Sequence, residues 1–145
     1  MASDIELRRM EREDLGAART MLAQLGYDIA LDDLTQRYET VRGKDGHSLI
    51  VAVQEGSPVG LLHIFTRLGL EKPPEAVIQA VIVDRTRRGS GIGRMLMAAA
   101  EGWAREKGMR CVVLNNPVSQ LDANAFFAGL GYQRAAVSAL LRKDL

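Results

Sequence analysis

The sequence has one cysteine, few aromatic residues and almost no net charge. Cys111 cannot form a disulfide within the chain, and the apolar run Cys111–Leu114 predicts a buried structural thiol. Nineteen basic residues against 18 acidic ones leave a net charge of +1, without the strong basic stripe that nucleic-acid binders carry. We therefore expect no nucleic-acid partner.

Long apolar runs, linkers and metal-site spacings are also missing. No run approaches 18 apolar residues, and residues 1–6 show no basic segment followed by an apolar one. No Pro/Gly/Ser tract or charge block marks a linker, and His47, His63 and Cys111 stand apart from any metal-binding spacing. These absences predict one cytoplasmic domain, residues 1–145, with no membrane partner and no bound metal.

Apolar periodicity predicts an α/β fold with a central mixed sheet, about four flanking helices and the order β-α-α-β-β-β-α-β-α-β. In the strand at 76–83 only Gln79 is polar, which predicts burial on both faces. A helical crossover should make that strand parallel to the next. The expected strands are 5–8, 48–54, 59–67, 76–83, 111–114 and at least one within 132–145. The expected helices begin near Asp14, near Asp32 or Asp33, within residues 84–93 and near Asp122.

The strongest chemical signal is a glycine-rich turn between a buried strand and a helix. Residues 88–93 read Arg-Gly-Ser-Gly-Ile-Gly directly after the strand that ends at Val83. Glycines let the backbone turn sharply and approach a ligand, and the first amides of a helix have no internal acceptor. Together with the helix dipole they favour a bound diphosphate, to which Arg88 and Arg94 can add charged hydrogen bonds.

Two other interpretations of this turn remain open. The glycines could serve only close packing between the strand and the helix. A nucleotide site is the other alternative, but no Lys-Ser or Lys-Thr follows the turn as a P-loop requires. A dinucleotide fingerprint would need a glycine where Arg94 stands.

The turn and a later segment resemble the GNAT superfamily of N-acetyltransferases. Arg88-x-x-Gly91-x-Gly93 matches the signature R/Q-x-x-G-x-G/A. Further on, Ala123-Asn124-Ala125-Phe126-Phe127 followed by Leu130-Gly131-Tyr132 is similar to the family segment A-x-x-F-Y…L-G-F. The two segments stand in the family's order, and the predicted elements follow that order over nearly the whole chain.

The resemblance implies acetyl-CoA as the acyl donor and a primary amine as the acceptor. The amine would be a small molecule or a peptide group, attacking the thioester directly. The backbone at Val81 and Val83 would pair with the pantetheine arm. The diphosphate would bind Arg88, Gly89, Ser90, Gly91, Ile92, Gly93 and Arg94, while Asn124 and Phe127 would complete the donor site and Asn115 is a further candidate.

The sequence departs from the family at the general acid. Many members carry a tyrosine where this chain has Phe127, and a phenyl ring cannot donate a proton. Tyr132 is the candidate substitute. Glu75 stands where some histone-modifying members place a catalytic glutamate, so it is the candidate base, with His63 as an alternative.

The acceptor and the oligomeric state are not specified by the residues. Tyr27 and Tyr38 lie in the region that lines the family's acceptor site, and Asp32 or Asp33 could attract a cationic amine. A homodimer is common in the family. Because the usual tyrosine is absent, an acyl-CoA-binding sensor or a weakly catalytic homologue is the alternative function.

Overall fold

The computed structural model describes residues 4–145 as two compact units, one ending at Leu114 and one comprising Asn115–Leu145. A single domain over the whole chain stays a prediction. In order, the first unit forms β1 (Ile5–Arg9), α1 (Leu15–Gln24), α2 (Leu31–Arg42), β2 (His47–Gln54), β3 (Ser57–Arg67), β4 (Glu75–Val83), α3 (Ile92–Glu106) and β5 (Val112–Leu114), and the second forms α4 (Leu121–Gly129). Single 3-10 turns at Arg12–Asp14 and Arg85–Arg87 precede α1 and α3.

The first unit is built on one five-stranded mixed sheet in the order β1-β2-β3-β4-β5. Neighbouring strands from β1 to β4 are antiparallel, and β5 runs parallel to β4. Helix α3 makes the crossover between these last two strands, as predicted. The mixed α/β fold expected from the sequence is therefore confirmed.

The two faces of the sheet bury different helices. On one face, Val51, Leu61 and Ile82 pack into a core with residues of α1 and α2. On the other, Gly60 lies so close to α3 that an added Cβ would sit 3.0 Å from the side chains of both Ile92 and Leu96. This close approach fixes the start of α3 against the sheet.

Asp14 precedes α1 as predicted, but its side chain does not cap that helix. The buried carboxylate accepts two hydrogen bonds from the guanidinium of Arg8, at 2.8 and 2.9 Å, and one from the amide of Glu11 at 2.8 Å. The hydrogen bonds from Arg8 and Glu11 outweigh burial and lower the pKa of Asp14. Asp14 thus joins β1 to the helical layer instead of closing a helix end.

The other predicted helix caps, unlike Asp14, lie one or two residues inside their helices. Ala30 is the N-cap of α2 and Gln120 that of α4, so Asp32, Asp33 and Asp122 occupy first turns. There a negative charge favours the positive end of the helix dipole without a capping hydrogen bond.

The prediction that Cys111 is buried is wrong. The thiol is exposed, because β5 begins one residue later, at Val112. The carbonyl of Cys111 still accepts a hydrogen bond from the amide of Ala76 at 3.2 Å, which leaves the side chain at the rim of the sheet. Its sulfur lies 4.0 Å from a carboxylate oxygen of Glu75.

The strand expected within residues 132–145 is also not formed, and this segment has neither helix nor strand. A strand needs a hydrogen-bonded neighbour, and the unit that contains this segment has α4 as its regular element. Apolar side chains alone, here the exposed Val137, Leu140 and Leu141, do not supply one. Among residues 4–145, no helix combines the length and hydropathy of a membrane span.

Candidate active site

Strand β4 is paired along its full length on one edge and only in part on the other. Its antiparallel pairing with β3 runs from Glu75 to Val83. Its parallel pairing with β5 covers Ala76 to Ile78. Within residues 4–114, the edge of β4 from Gln79 to Val83 therefore has no paired strand on the β5 side.

The register shows which backbone groups this edge exposes. Asp84 donates its amide to the carbonyl of Val59 at 2.8 Å, just beyond the pairing of Val83 with Gly60. Antiparallel pairs alternate between bonded and non-bonded positions, so Ile82 also bonds to β3. The amides and carbonyls of Val81 and Val83 then point to the edge that β5 leaves free.

A β-bulge interrupts β4 at the lower end of this free edge. His63 pairs with Ala80 and Ile64 with Ile78, so Gln79 is an extra residue without a counterpart on β3. Its side chain is exposed. A bulge leaves the backbone of its extra residue outside the regular ladder and bends the strand locally. About 13 Å of strand separates Gln79 from Val83, at roughly 3.3 Å per residue.

At the upper end of the edge, two glutamines and an aspartate anchor the turn that leads to α3. Gln24 at the end of α1 accepts a hydrogen bond from the amide of Arg85 at 3.0 Å. Gln54 accepts one from the guanidinium of Arg87 at 2.9 Å. Asp84 caps the 3-10 turn by accepting from the amide and hydroxyl of Thr86, at 2.9 and 2.8 Å.

The glycines of the turn adopt the backbone conformation that glycine favours. Gly89 and Gly91 have φ angles of 83° and 88°, and Gly91 is the N-cap of α3. An added Cβ at either position would meet no atom within 4 Å, so the loop faces open space within the described structure. L-residues rarely adopt such angles, which explains glycine here without any packing constraint. The close-packing interpretation of these two glycines therefore lacks support.

The start of α3 presents backbone donors beside two cations. The first regular helical hydrogen bond runs from the amide of Met95 to the carbonyl of Gly91 at 3.1 Å. The amides of Ile92, Gly93 and Arg94 precede it and have no acceptor within the helix. Arg88 and Arg94 are exposed, whereas Ser90 turns its hydroxyl back to the carbonyl of Arg87. This arrangement can bind an anion with two or more oxygens.

Glu75, the candidate base, lies in ion pairs at the opposite end of β4. Its carboxylate lies 2.9 Å from the guanidinium of Arg67 and 3.1 Å from the ammonium of Lys72. Hydrogen bonds from Arg67 and then Lys72 lower the pKa of Glu75. Both cations hold the carboxylate in place, so the geometry favours a structural role that ties the β3–β4 connection together.

His63, the alternative base, contacts a second histidine that the sequence analysis did not connect with it. Its Nε2 lies 3.0 Å from Nδ1 of His47 on β2. Burial, and then the charge of His47, lowers the pKa of His63 to about 4. His63 is therefore neutral near pH 7 and keeps an unprotonated ring nitrogen.

The remaining predicted residues of the donor site and the acid lie in the second unit. Asn124 accepts a hydrogen bond from the side-chain amide of Asn116 at 2.7 Å. Phe127 packs edge-on against the ring of Tyr132, with centroids 6.1 Å apart. The phenol of Tyr132 thus lies beside the ring that replaces the family's tyrosine.

The two tyrosines of the predicted acceptor region differ. Tyr38 is buried in the core and donates its hydroxyl to the carbonyl of Met10 at 3.3 Å, whereas Tyr27 is 58% exposed between α1 and α2. Tyr38 is therefore a core residue. Among residues 4–145 no group of three or more potential metal ligands occurs.

Comparison with known proteins identifies the family. The family model described as "Acetyltransferase (GNAT) family" matches residues 10–132. Aminoglycoside N(6')-acetyltransferase type 1 of Stenotrophomonas maltophilia is 27% identical over 110 residues, covering 73% of this chain and 70% of that protein.

Solved structures share the fold at low sequence identity. Aminoglycoside N-acetyltransferase AAC(6')-Iy in complex with CoA has a TM-score of 0.88 at 20% identity, covering 100% of this chain and 98% of that one. Glucosamine-6-phosphate N-acetyltransferase from Arabidopsis thaliana has a TM-score of 0.82 at 19% identity, covering 97% and 99%. With the family model matching most of its length, this chain belongs to the acetyltransferase (GNAT) family and is an acyl-CoA-dependent N-acetyltransferase.

Proposed function

We propose that this protein transfers an acetyl group from acetyl-CoA to the primary amine of a small molecule by direct attack on the thioester. The observation that carries the proposal is the free edge of β4, which begins at the bulge at Gln79 and ends at the Arg88–Gly93 turn. A strand edge offers regularly spaced amides and carbonyls to an extended amide chain. The turn at its end offers the donors that a diphosphate requires.

The donor fits this edge in one direction. With the diphosphate on the amides of residues 89–94, the pantetheine arm runs back along β4 and pairs with the backbone of Val83 and Val81. The thioester then lies near Gln79. The backbone amide of that bulge residue is the candidate donor to the thioester carbonyl, because a donor aimed at the developing oxyanion stabilises the transition state.

The reaction needs a free amine and a proton for the departing sulfur. Nitrogen attacks the carbonyl carbon, a C–N bond forms and the C–S bond breaks. The general acid protonates the departing thiolate and regains the proton that nitrogen loses. Tyr132 remains the proposed acid, supported by its packing against Phe127. Glu75 is not retained as the base, since its ion pairs stabilise the carboxylate.

The acceptor class follows from relatives and from their chemistry. The similar proteins include acetyltransferases named for aminoglycosides and for glucosamine 6-phosphate; the former contain amino sugars and the latter is one. We infer that a primary amine on a small polar molecule is the acceptor, with amino sugars as the first compounds to test.

Release of free thiol tests the proposal directly. The protein is incubated with acetyl-CoA and a panel of amines, including an aminoglycoside, glucosamine 6-phosphate, a polyamine and a peptide with a free N-terminus, while free thiol is measured. We expect amine-dependent release with at least one small amine. Absence of release with every amine, despite measurable binding of acetyl-CoA, would contradict the proposal.

One observation favours a second function. Phe127 removes the usual phenol, so a protein that binds acetyl-CoA without rapid turnover would keep the same donor site. Such a sensor would show a large thermal shift with acetyl-CoA that no amine alters, and no thiol release.

A further inference from the structure

Two imidazole rings stand in direct contact on one face of the sheet. The contact between Nδ1 of His47 and Nε2 of His63, at 3.0 Å, is a hydrogen bond in which one ring donates and the other accepts. Phe65 stacks on His47 with ring centroids 5.1 Å apart and planes inclined by 13°. The aromatic stack restricts His47, so the two nitrogens are held at bonding distance.

One member of the pair, His63, lies beside the bulge in β4. His63 lies opposite Ala80, the first regular pair after Gln79, and cross-strand partners present their side chains on the same face. This is the face covered by α1 and α2, but the cover ends here, because Ala80 is only partly buried at the border of that core. His63 is itself half-buried, and it lies cross-strand from Ala80, the residue next to the bulge where we place the thioester.

The other member of the pair, His47, reaches solvent. His47, at the first position of β2, lines a cleft of about 670 Å³ together with Arg9, Lys44 and Trp103. The bonded pair therefore connects the region of the bulge with a cleft that opens elsewhere on the surface.

The charges around the pair keep His63 neutral. Along the same face of β3, the next charged residue after His63 and Phe65 is Arg67, which is paired with Glu75 across on β4. Lys72 is held by the same carboxylate. Burial, and then the neighbouring His47, lowers the pKa of His63, so His63 is neutral near pH 7.

We propose that His63 takes the proton from the acceptor ammonium and passes it through His47 to solvent. The proposal rests on the acetyl transfer proposed above. In the starting tautomer, Nε2–H of His63 donates to Nδ1 of His47, which leaves Nδ1 of His63 free to accept. As the ammonium proton reaches Nδ1, the proton on Nε2 crosses to His47, and His47 releases the proton of its own Nε2 into the cleft.

Every proton in this relay is accounted for. The ammonium loses one proton to the pair, and solvent gains one from His47, so the pair carries no net charge afterwards. The neutral amine then attacks the thioester, the proposed acid Tyr132 protonates the thiolate, and the second nitrogen proton restores the phenol. Return of the pair to its starting tautomer moves one proton back from Nδ1 of His47 to Nε2 of His63, while Nδ1 of His63 loses a proton and Nε2 of His47 gains one from solvent. His63 is thus the catalytic residue, and His47 acts through it as a positioning and relay residue.

Two single variants, His63→Gln and His47→Gln, test the relay with the best acceptor from the amine panel. Glutamine keeps a polar side chain at each site but cannot accept and release protons at two ring nitrogens. We expect kcat at pH 7 to fall about 100-fold in both variants, at the lower end of the usual range for a general base, with KM for acetyl-CoA unchanged. The deficit should shrink to less than about 3-fold near pH 10, where much of the acceptor is already a free amine.

A structural role would not produce this pH dependence. Leu49→Val, at a partly buried position cross-strand from His63, serves as the comparison variant for altered packing on the same face, and any deficit it causes should not depend on pH. Added imidazole should restore part of the rate of His47→Ala, because the cleft admits it at the solvent end. A deficit that is the same at pH 7 and pH 10, or full activity in both glutamine variants, would overturn the relay. If instead the wild-type protein binds acetyl-CoA and acetylates no amine, acetyl transfer itself fails as the function.

Discussion

The two ends of β4 are built from different parts of the chain. At the end near Val83 the groups available to a ligand are backbone amides, set by a free strand edge, two left-handed glycines and the start of α3. At the end near Glu75 the available groups are side chains from three strands, held by ion pairs and by the His47–His63 contact. The two ends should therefore respond differently to substitution.

A site made of backbone depends on the conformation of the chain more than on any one side chain. Replacing an arginine beside it removes one contact, whereas replacing a glycine at positive φ changes the direction of several amides. A site made of side chains behaves in the opposite way, because each residue supplies its own chemistry. The predictions below test this difference, from the largest expected effect to the smallest.

Gly91→Val should weaken acetyl-CoA binding by at least about 100-fold. Valine is strained at a φ of 88° and places a branched side chain in the open space before the helix amides. The measurement is isothermal titration calorimetry with acetyl-CoA.

Gly108→Val is the matched control for that variant. Gly108 also has a positive φ, 77°, with open space at its Cβ position, but it follows the other end of α3. A 15-residue helix separates the two ends by about 22 Å. We expect Gly108→Val to lower the melting temperature and to change acetyl-CoA affinity less than about 3-fold. Equal losses of affinity in both variants would show that strain alone explains the effect.

Tyr132→Phe should lower kcat by about 10-fold or more and leave acetyl-CoA affinity unchanged, since a general acid acts on the departing thiolate. The double variant Phe127→Tyr/Tyr132→Phe moves the phenol to the neighbouring ring and should recover activity. Steady-state kinetics of the two proteins, with Phe127→Tyr alone as reference, checks this. If Tyr132→Phe keeps wild-type activity, Tyr132 is not the acid and water protonates the thiolate.

Arg88→Ala and Arg94→Ala should each weaken acetyl-CoA binding by only about 3- to 10-fold, because exposed charges contribute modestly and the amides remain. The loss should decrease as salt is added. Arg105→Ala, on the same helix but paired with Glu101, serves as the control and should bind normally. A loss above 100-fold in Arg88→Ala would mean that side chains, not backbone, hold the diphosphate.

Glu75→Gln should change kcat by less than about 3-fold, the smallest kinetic effect in the series, while lowering thermal stability at neutral pH. The folded pKa of Glu75 lies below its unfolded value of 4.5, so its ion pairs stabilise the protein above pH 4.5 and lose this effect as the pH falls through the folded pKa. Melting temperatures of variant and wild type should therefore converge in acid. A 100-fold loss of kcat at an unchanged melting temperature would restore Glu75 as the base.

The end of β4 near Val83 was predictable from the sequence, because the residues that form it are close together in the chain. Apolar periodicity predicted β4 and α3, and the glycine spacing at residues 89–93 predicted a turn with free amides. The order of these elements and the parallel pairing of β5 also follow from sequence, since the crossover rule constrains them. What the sequence could not show is how far β5 follows β4, because a pairing length of three residues depends on tertiary packing.

The end of β4 near Glu75 depends on side-chain contacts between residues that are far apart in the sequence. His47 and His63 are 16 positions apart, and Cys111 lies beside Glu75 although 36 positions separate them, so no local pattern links them. The same limit explains the error at Cys111, where an apolar run predicted burial although the strand starts one residue later. Alternation along β2 and β3, combined with their register, is the signal that could have paired the histidines.

Titration of wild-type protein and Gly91→Val with acetyl-CoA and with S-acetylpantetheine, which lacks the diphosphate, tests the central claim most directly. If the Arg88–Gly93 turn holds the diphosphate, wild type should bind acetyl-CoA at least about 100-fold more tightly than S-acetylpantetheine, and Gly91→Val should bind both compounds with similar weak affinity. Equal binding of the two compounds by wild type, or an undiminished preference for acetyl-CoA in Gly91→Val, would contradict the account.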